Sequence, residues 1–226
     1  MQKISFKDKF ELTNLVLSKR KIQTRRIEKS LFSLQTKEIK GQCYKFYDNK
    51  FREVTDDLGR LDTAAPDRYA VIVRTTDGQL LEFKPQYRMG EVVAVAMSYK
   101  SIYERVAAKT WEYAEEYKNK HKDLAGWKNK MFVKPDLMPH AIKITNIRIK
   151  RLQDISDEDC LAEGIIEHTA EIMPNYPPYT QYCCGISEVF CDTPRQAFAA
   201  LIDKINGKGT CDSNPYVWVY DFELVK

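Results

Sequence analysis

The chain carries, at residues 18–26, the stretch SKRKIQTRR. Before it, apolar residues recur close to helical spacing and predict a short helix from about Lys7 to Ser18. After Lys21, residues 22–27 alternate in the manner of a half-buried strand. The basic stretch therefore lies at a junction between a helix and a strand, where side chains can converge on one cleft.

Composition and charge place limits on the class of protein. A chain of 226 residues with 43% hydrophobic and 30% charged residues predicts one folded domain with insertions. The net charge of +4, from 36 basic and 32 acidic residues, is too balanced to indicate nucleic acid by itself. Residues 1–29, however, hold nine basic residues against three acidic ones. Such a cluster either attracts a phosphate or another anion or is a solvated basic face.

Targeting and metal-binding signals are sparse. The N-terminus lacks the apolar segment of a signal peptide, and no apolar run approaches the ~18 residues that span a bilayer. We therefore expect a cytoplasmic protein with no membrane partner. No C-x-x-C pair appears and the three histidines complete no zinc spacing, so we expect six reduced thiols, no metal and no cofactor. Cys183, Cys184 and Cys191 are the alternative metal ligands.

Strand signals recur along the chain. Asp77-Gly78 is a strong hairpin signal, and the apolar run at residues 92–97 is typical of a strand buried on both faces. A slip in the alternation near Thr145-Asn146 predicts an irregularity in the strand that contains it. Besides residues 22–27, the predicted strands are 69–73, 80–83, 92–97, 140–152 and 216–224.

Helix signals lie between these strands. Ser156 and Asp159 form a capping box, and Gly164 provides the C′ position of the short helix that follows. Thr193 precedes a proline at the first position of a second clear helix. Residues 174–185 are rich in Pro and Tyr and predict a loop. The predicted helices after the first one are 103–122, 156–163 and 193–206.

This succession of elements predicts the fold class. Strands separated by single helices indicate an α+β domain, and we expect a small closed or nearly closed mixed β-barrel decorated by helices.

Several segments, taken together and in order, resemble the ASCH family of the PUA-like superfamily. Residues 18–26 are similar to its opening motif G-R-K-T-x-T-x-R, and residues 88–95 to its K-x-G-D-x-v-x-V strand. The strand-to-helix unit at 147–165 and the closing strand near Trp218 follow in the family's order. Residues 134–139, KPDLMP, are similar to the K-P-x-x-x-M-P of uncharacterised phage- and prophage-encoded ASCH-like proteins, with one residue fewer between Pro135 and Met138.

The resemblance implies one PUA-like domain over residues 1–226, a small mixed β-barrel with insertions near 30–68, 100–130 and 167–190. Two positions depart from the motif, because Lys19 stands in place of its Gly and Ile22 in place of its first Thr. Lys19 lacks the freedom of glycine to adopt a positive φ or to let a ligand approach the backbone closely.

The resemblance also implies a function and a site. Members of the superfamily are expected to bind RNA or nucleosides, and one ASCH branch hydrolyses the amide of 4-acetylcytidine. By position in the motifs, the catalytic residues of that branch correspond to Lys21, Thr24 and Glu163. Arg20 and Arg26 complete the predicted cleft as ligand-binding residues.

The chemistry of these residues suits such a site. Thr24 is a poor nucleophile unless a base takes its proton, and Lys21 can be that base if burial and nearby cations favour its neutral form. On a strand, Thr24 and Arg26 share one face and Arg25 takes the other. Arg26 can then hold a carboxylate, a phosphate or a developing oxyanion beside Thr24, with Glu163 as general acid or base. The alternatives are a solvated Lys21 and Arg25, a Thr24 chosen for β-propensity, and an Arg26–Glu163 structural ion pair.

Three hypotheses follow. The first is a module that binds RNA or a modified nucleoside, with an aromatic such as Tyr99, Trp111 or Trp218 stacking a base. The second is an amidohydrolase of an acylated nucleoside. The third is a phage or mobile-element accessory protein that acts through protein contacts of the Tyr/Pro loop at residues 176–179.

Overall fold

The computed structural model describes residues 1–27, 71–74, 80–107, 111–170, 179–184 and 190–226. The predicted insertion at 30–68, the Asp77-Gly78 turn and residues 176–178 of the Tyr/Pro loop lie outside these ranges. The described residues form strands and helices in a mixed arrangement, which confirms the predicted α+β class.

Strands make up the larger part of the architecture. They are β1 (Lys3–Ile4), β2 (Gln23–Ile27), β3 (Val71–Arg74), β4 (Leu80–Phe83), β5 (Val92–Val95), β6 (Ala141–Arg151), β7 (Ile165–Ala170), β8 (Tyr179–Cys184) and β9 (Tyr216–Leu224). Five of them form one sheet in the order β1-β5-β6-β9-β2, in which β1 is parallel to β5 and the other pairs are antiparallel. The pairs β3-β4 and β7-β8 form separate antiparallel hairpins.

The main sheet is open within the described part of the chain. No backbone pairing joins β1 to β2 there, so the predicted closed barrel is not observed among these strands. The two edges nevertheless approach each other, because Arg26 Nη2 on β2 donates to the carbonyl oxygen of Ser5, just after β1, at 2.7 Å. The sheet is therefore curved enough that one arginine side chain connects its two edges.

Helices flank this sheet. They are α1 (Leu12–Leu17), α2 (Tyr99–Ala107), α3 (Trp111–His121), α4 (Asp157–Ala162) and α5 (Pro194–Asn206), with 3-10 turns at Asp8–Phe10, Ala125–Trp127, Lys130–Phe132 and Pro135–Leu137. Ser156 and Thr193 are both N-caps, since Ser156 accepts from the backbone N–H of Asp159 and Thr193 from that of Gln196. Within the described residues the Asp159 carboxylate binds Gln23 and Arg25 instead of completing the predicted capping box. Gly164 has a φ of +97°, as the C′ position requires. None of the described helices is long and apolar enough to cross a membrane.

Two helix predictions were wrong in their bounds. The first helix starts at Leu12 rather than Lys7, because Glu11 takes a left-handed conformation (φ 58°) after a 3-10 turn. In place of one helix at 103–122, the chain forms α2 and α3. The first of these begins earlier than predicted, after Ser98, whose hydroxyl accepts from the backbone N–H of Ser101.

The predicted loop at 174–185 was wrong for its second half. Tyr179–Cys184 is strand β8, which pairs along its whole length with β7. Residues 179–184 carry Tyr and Thr, which favour strands, and the prolines end before them. The partner strand β7 lies in a stretch that was read as an insertion, so the pairing could not be anticipated from local signals.

The central strands follow the predicted pattern with one exception. The register between β6 and β9 shifts between Ile144 and Asn146, where the slip in alternation was predicted. Val93 and Val95 are fully buried, but Val92 is 42% exposed, so β5 is not buried along its whole length. Helix α5 packs its buried face, including Phe198 and Leu201, into the core of the sheet.

Candidate functional site

A cavity of about 590 Å³ opens where the two edges of the sheet meet helix α5. Ser5, Phe6 and Lys7 line it from the end of β1. Helix α5 contributes an apolar wall. Its members are Phe198, Leu201, Ile202 and Ile205. The polar wall comes from β2 and from the end of α4, and it contains Lys21, Thr24, Arg25, Arg26 and Glu163. A mostly apolar cleft with a few convergent polar groups is typical of a small-molecule site.

Lys21 and Glu163 form a buried ion pair in this wall. Lys21 Nζ donates to Glu163 Oε2 at 2.6 Å and to the Glu163 backbone oxygen at 2.6 Å. Both residues are almost fully buried, at 2% and 4% exposure. The chain brings them together because the backbone N–H of Ile22 donates to the carbonyl of Ala162, which ties the start of β2 to the end of α4.

Arg25 is the second cation of this cluster. Its Nη2 lies 2.7 Å from Asp159 Oδ2 and its Nη1 lies 3.3 Å from Glu163 Oε1, while Nη1 also donates to Gln23 Oε1. Gln23 Nε2 in turn donates to Asp159 Oδ1 at 3.2 Å and to Asp221 Oδ1 at 2.8 Å. Since its side chain is completely buried, Arg25 is neutralised by carboxylates rather than by water.

Burial controls the titration of these groups. It lowers the pKa of Lys21 below the ordinary value of 10.5, with Arg26 and Arg25 acting in the same direction and Glu163 opposing them. Burial alone would raise the pKa of Asp159, but Arg25, Gln23 and Lys150 together outweigh it and hold that pKa below its usual range. Burial therefore works against the protonated form of Lys21, while Arg25 favours the ionised form of Asp159.

Thr24 lies in the same cavity, with 5% of its surface exposed. Within the described residues its hydroxyl has no hydrogen-bond partner, and Lys21 donates to Glu163 rather than to Thr24. The hydroxyl is thus free to meet a ligand.

Arg26 faces the cavity without a carboxylate partner among the described residues. Its Nη2 is bound to Ser5, its guanidinium carbon lies 5.4 Å from the centre of the Phe6 ring, and its buried Nε has no acceptor. The alternative of an Arg26–Glu163 ion pair is not observed, because Glu163 pairs with Lys21 and Arg25. Burial lowers the pKa of Arg26, which marks it as an incompletely compensated cation.

The structure brings together four of the five predicted site residues, Lys21, Thr24, Arg26 and Glu163, and leaves out the fifth. Arg20 is exposed and does not line the cavity. Its neighbour Lys19 has a φ of 59°, so the position where the family motif carries Gly does adopt the left-handed conformation, with a lysine in it.

Sequence reasoning missed the partners of the site. Arg25 was assigned to the face opposite Thr24 and Asp159 was identified only as a capping residue, although the two form the ion pair that borders Glu163. One signal was available. Asp159 and Glu163 are four residues apart on one helix, and positions i and i+4 share a face.

The proposed stacking residues lie elsewhere. Tyr99 is 7% exposed and packs against Tyr117 and His121, and Trp218 is 3% exposed, and neither lines the cavity. The side chain of Trp111 lies outside the described set.

No group of three or more metal-ligating side chains occurs within the described ranges. Cys183, Cys184 and Cys191 form no disulfide there. Burial raises the pKa of Cys183, which opposes the thiolate form that metals bind.

No family model, no curated protein and no solved structure matches the chain.

Proposed function

We propose that this chain is an ASCH-type, PUA-like domain protein that binds RNA or a modified nucleoside in the cavity of Lys21, Thr24, Arg26 and Glu163. The observation that carries the proposal is the meeting of these residues, from two distant motifs, in one cavity of about 590 Å³. Its volume lies within the range of sites for small ligands.

The chemistry of the wall supports a ligand with both polar and apolar parts. The face of α5 offers aliphatic and aromatic surface to a base or sugar, Arg26 offers a buried Nε without an acceptor, and the Thr24 hydroxyl lines the same cavity. Buried donors without an acceptor are costly, and a ligand with carbonyl or phosphate oxygens removes that cost.

A binding experiment tests this proposal. Calorimetry with cytidine, 4-acetylcytidine and short single-stranded RNA is expected to detect binding that weakens about tenfold or more in Arg26→Ala, since a charge-assisted hydrogen bond contributes about 1.5–3 kcal/mol. Lys143→Met, an exposed lysine of β6 outside the cavity, is the matched charge control. RNA affinity that is insensitive to salt, or unchanged in a Lys21→Ala/Arg26→Ala double variant, rejects the proposal.

A second function, hydrolysis of the amide of an acylated nucleoside, is favoured by the free Thr24 hydroxyl and the lowered pKa of Lys21. In that reaction Thr24 Oγ1 attacks the acyl carbon and Lys21 takes the hydroxyl proton. The C–N bond then breaks, the nucleoside amine leaves with a proton supplied through Glu163, and water releases the acyl group from Thr24.

The test of this second function is the loss of 4-acetylcytidine over time. Thr24→Ala is expected to lower the rate at least about a hundredfold, in the range typical for removing a nucleophile or its base. Thr24→Ser retains a hydroxyl and is expected to keep measurable turnover. Equal rates for the wild type and Thr24→Ala would falsify this function while leaving binding open to the first test.

A further inference from the structure

The carboxylate of Glu163 is shared between two cations. Its Oε2 accepts from Lys21 Nζ at 2.6 Å and its Oε1 lies 3.3 Å from Arg25 Nη1. The side chains of Lys21 and Arg25 are 2% and 0% exposed, so water compensates neither of them. One carboxylate with two cationic partners keeps a counterion if one of them loses its charge.

The two cations are held differently. Arg25 is fixed on several sides, by Asp159 at 2.7 Å, by the amide oxygen of Gln23 and by the ring of Phe198, whose centre lies 5.9 Å from its guanidinium carbon. Both hydrogen bonds of Lys21 go to Glu163 alone, and Lys21 borders the cavity. An arginine also keeps its proton at any ordinary pH, whereas a buried lysine can lose it.

The charges in this cluster sum to zero with Lys21 protonated, from two cations (Lys21 and Arg25) and two carboxylates (Asp159 and Glu163). If Lys21 gives up its proton, Arg25 still touches both carboxylates. Without Arg25, the same proton loss would leave the Glu163 carboxylate buried and unpaired, which is strongly unfavourable.

We propose that Arg25 is a positioning residue, the fixed counterion of Glu163 that allows Lys21 to lose its proton and serve as a base. Arg25 touches no reacting atom in this scheme and acts through Glu163 and Lys21. This role of Arg25 rests on the proposed amide hydrolysis, because Lys21 needs to act as a base only in that reaction. The role can nevertheless be tested without a ligand.

The charged groups around Lys21 act on its protonation in both directions. From β2, Arg25 and Arg26 disfavour the protonated amine, and from the end of α4 Glu163 favours it. From the end of β1, the Phe6 ring lies 6.0 Å from Nζ, and the exposed Lys7 lines the same cavity. Cations thus outnumber carboxylates on the side of Lys21 that the ligand would approach.

The experiment is a pH titration of Lys21 in the unliganded protein. Carbon-13 is placed at Cε of the lysines, and the Lys21 signal is assigned by its absence in Lys21→Arg. In Arg25→Gln the titration midpoint of Lys21 is expected to move upward by about one pH unit, because a nearby like charge has been removed. In Asp159→Asn it is expected to move downward, because Arg25 is then left to Glu163 alone.

The matched control is Arg195→Gln. Arg195, on α5, pairs its Nε at 3.1 Å with Oδ1 of Asp157, which lies on α4 as Asp159 does. The two side chains are 60% and 58% exposed. This variant removes the same net charge and is expected to leave the Lys21 midpoint in place. Arg25→Lys keeps the positive charge and loses the forked guanidinium group. In this variant the titration midpoint of Lys21 is expected to stay close to the wild-type value.

Three results overturn the proposal: a wild-type Lys21 that titrates in the ordinary lysine range, an unchanged midpoint in Arg25→Gln, or an upward shift in Asp159→Asn. If Arg25→Gln does not fold, Asp159→Asn decides the question alone. Expected shifts without consumption of 4-acetylcytidine support the counterion role and reject the hydrolase. Turnover without the shifts supports the hydrolase and rejects the counterion role.

Discussion

Two ion clusters lie side by side on neighbouring strands and differ in their exposure to water. In the first, Lys21 and Arg25 meet Glu163 and Asp159. The side chains of Lys21, Arg25 and Glu163 are at most 5% exposed. In the second, Arg148 on β6 makes a bidentate pair with Asp221 on β9, at 2.5 and 2.8 Å, and both side chains are about a quarter exposed. The Gln23 side chain donates to Asp159 in one cluster and to Asp221 in the other.

The difference indicates which cluster the proposed function would use. A partly hydrated pair such as Arg148–Asp221 costs less desolvation than a buried one, and its bidentate geometry places its contribution at the upper end of the range for such pairs, about 1 kcal/mol. A buried cluster carries a desolvation cost that an apolar replacement would avoid, so stability alone does not explain it. The proposed function offers a reason to bury these charges in the wall of the cavity, because a low-polarity site strengthens the effect of each charge on a bound ligand.

The largest expected effect comes from breaking the buried cluster at its centre. Glu163→Gln leaves Lys21 and Arg25 without their shared carboxylate and is expected to lower the free energy of unfolding by about 3 kcal/mol. Urea denaturation measures the change. A loss below about 1 kcal/mol would show that the buried cluster behaves like a surface pair.

The next effect is a dependence of stability on pH. The folded-state pKa of Lys21 lies below the ordinary 10.5. Between those two values the unfolded chain binds a proton that the folded chain does not, so the free energy of unfolding rises with pH, by at most about 1.4 kcal/mol per pH unit. Below the folded pKa this contribution is constant. Lys21→Met is expected to remove this slope, and the exposed Lys143→Met to keep it, in denaturation curves recorded across the window.

A smaller effect is expected at the turn that leads into the buried cluster. Lys19 holds a left-handed φ of 59°, which costs a residue with a Cβ about 1–2 kcal/mol relative to glycine. Lys19→Gly is therefore expected to gain about 1 kcal/mol, reduced by the greater freedom of glycine in the unfolded chain. Lys19→Ala removes the same charge and keeps the Cβ, so its melting temperature should not rise. A gain in both variants would assign the effect to charge instead of backbone conformation.

The smallest effect is expected from the partly exposed pair of Arg148 and Asp221. Arg148→Met removes the pair with Asp221 and is expected to lower the free energy of unfolding by no more than about 1 kcal/mol. The same urea denaturation that measures Glu163→Gln provides the comparison. A loss as large as that of Glu163→Gln would remove the distinction between the two clusters.

Local signals explain how much of this structure was predictable. Strand β2, the caps at Ser156 and Thr193 and the irregularity in β6 were all predicted, because each depends on residues close together in the chain. The pairing of β8 with β7 and the open edge of the sheet depend on which segments meet in space. Alternation within a segment contains no information about its partner.

The site divides along the same line. Lys21, Thr24, Arg26 and Glu163 were found because short motifs identified them, and the structure brings all of them to one cavity. Arg20 lies between the left-handed turn at Lys19 and the buried Lys21, and it is exposed. The role of Arg25 was missed because its partners, Asp159 and Glu163, lie more than 130 residues away along the chain.

The arginines of β2 have a consequence for the behaviour of the protein at high concentration. Within the described residues, β2 is an edge strand, and an unpaired edge is a template for association with a second chain. Arg25 points inward to the carboxylates and Arg26 reaches across to Ser5, so an incoming strand would meet fixed charges. We therefore expect that pairing of a second chain at this edge would disturb residues that build the cavity.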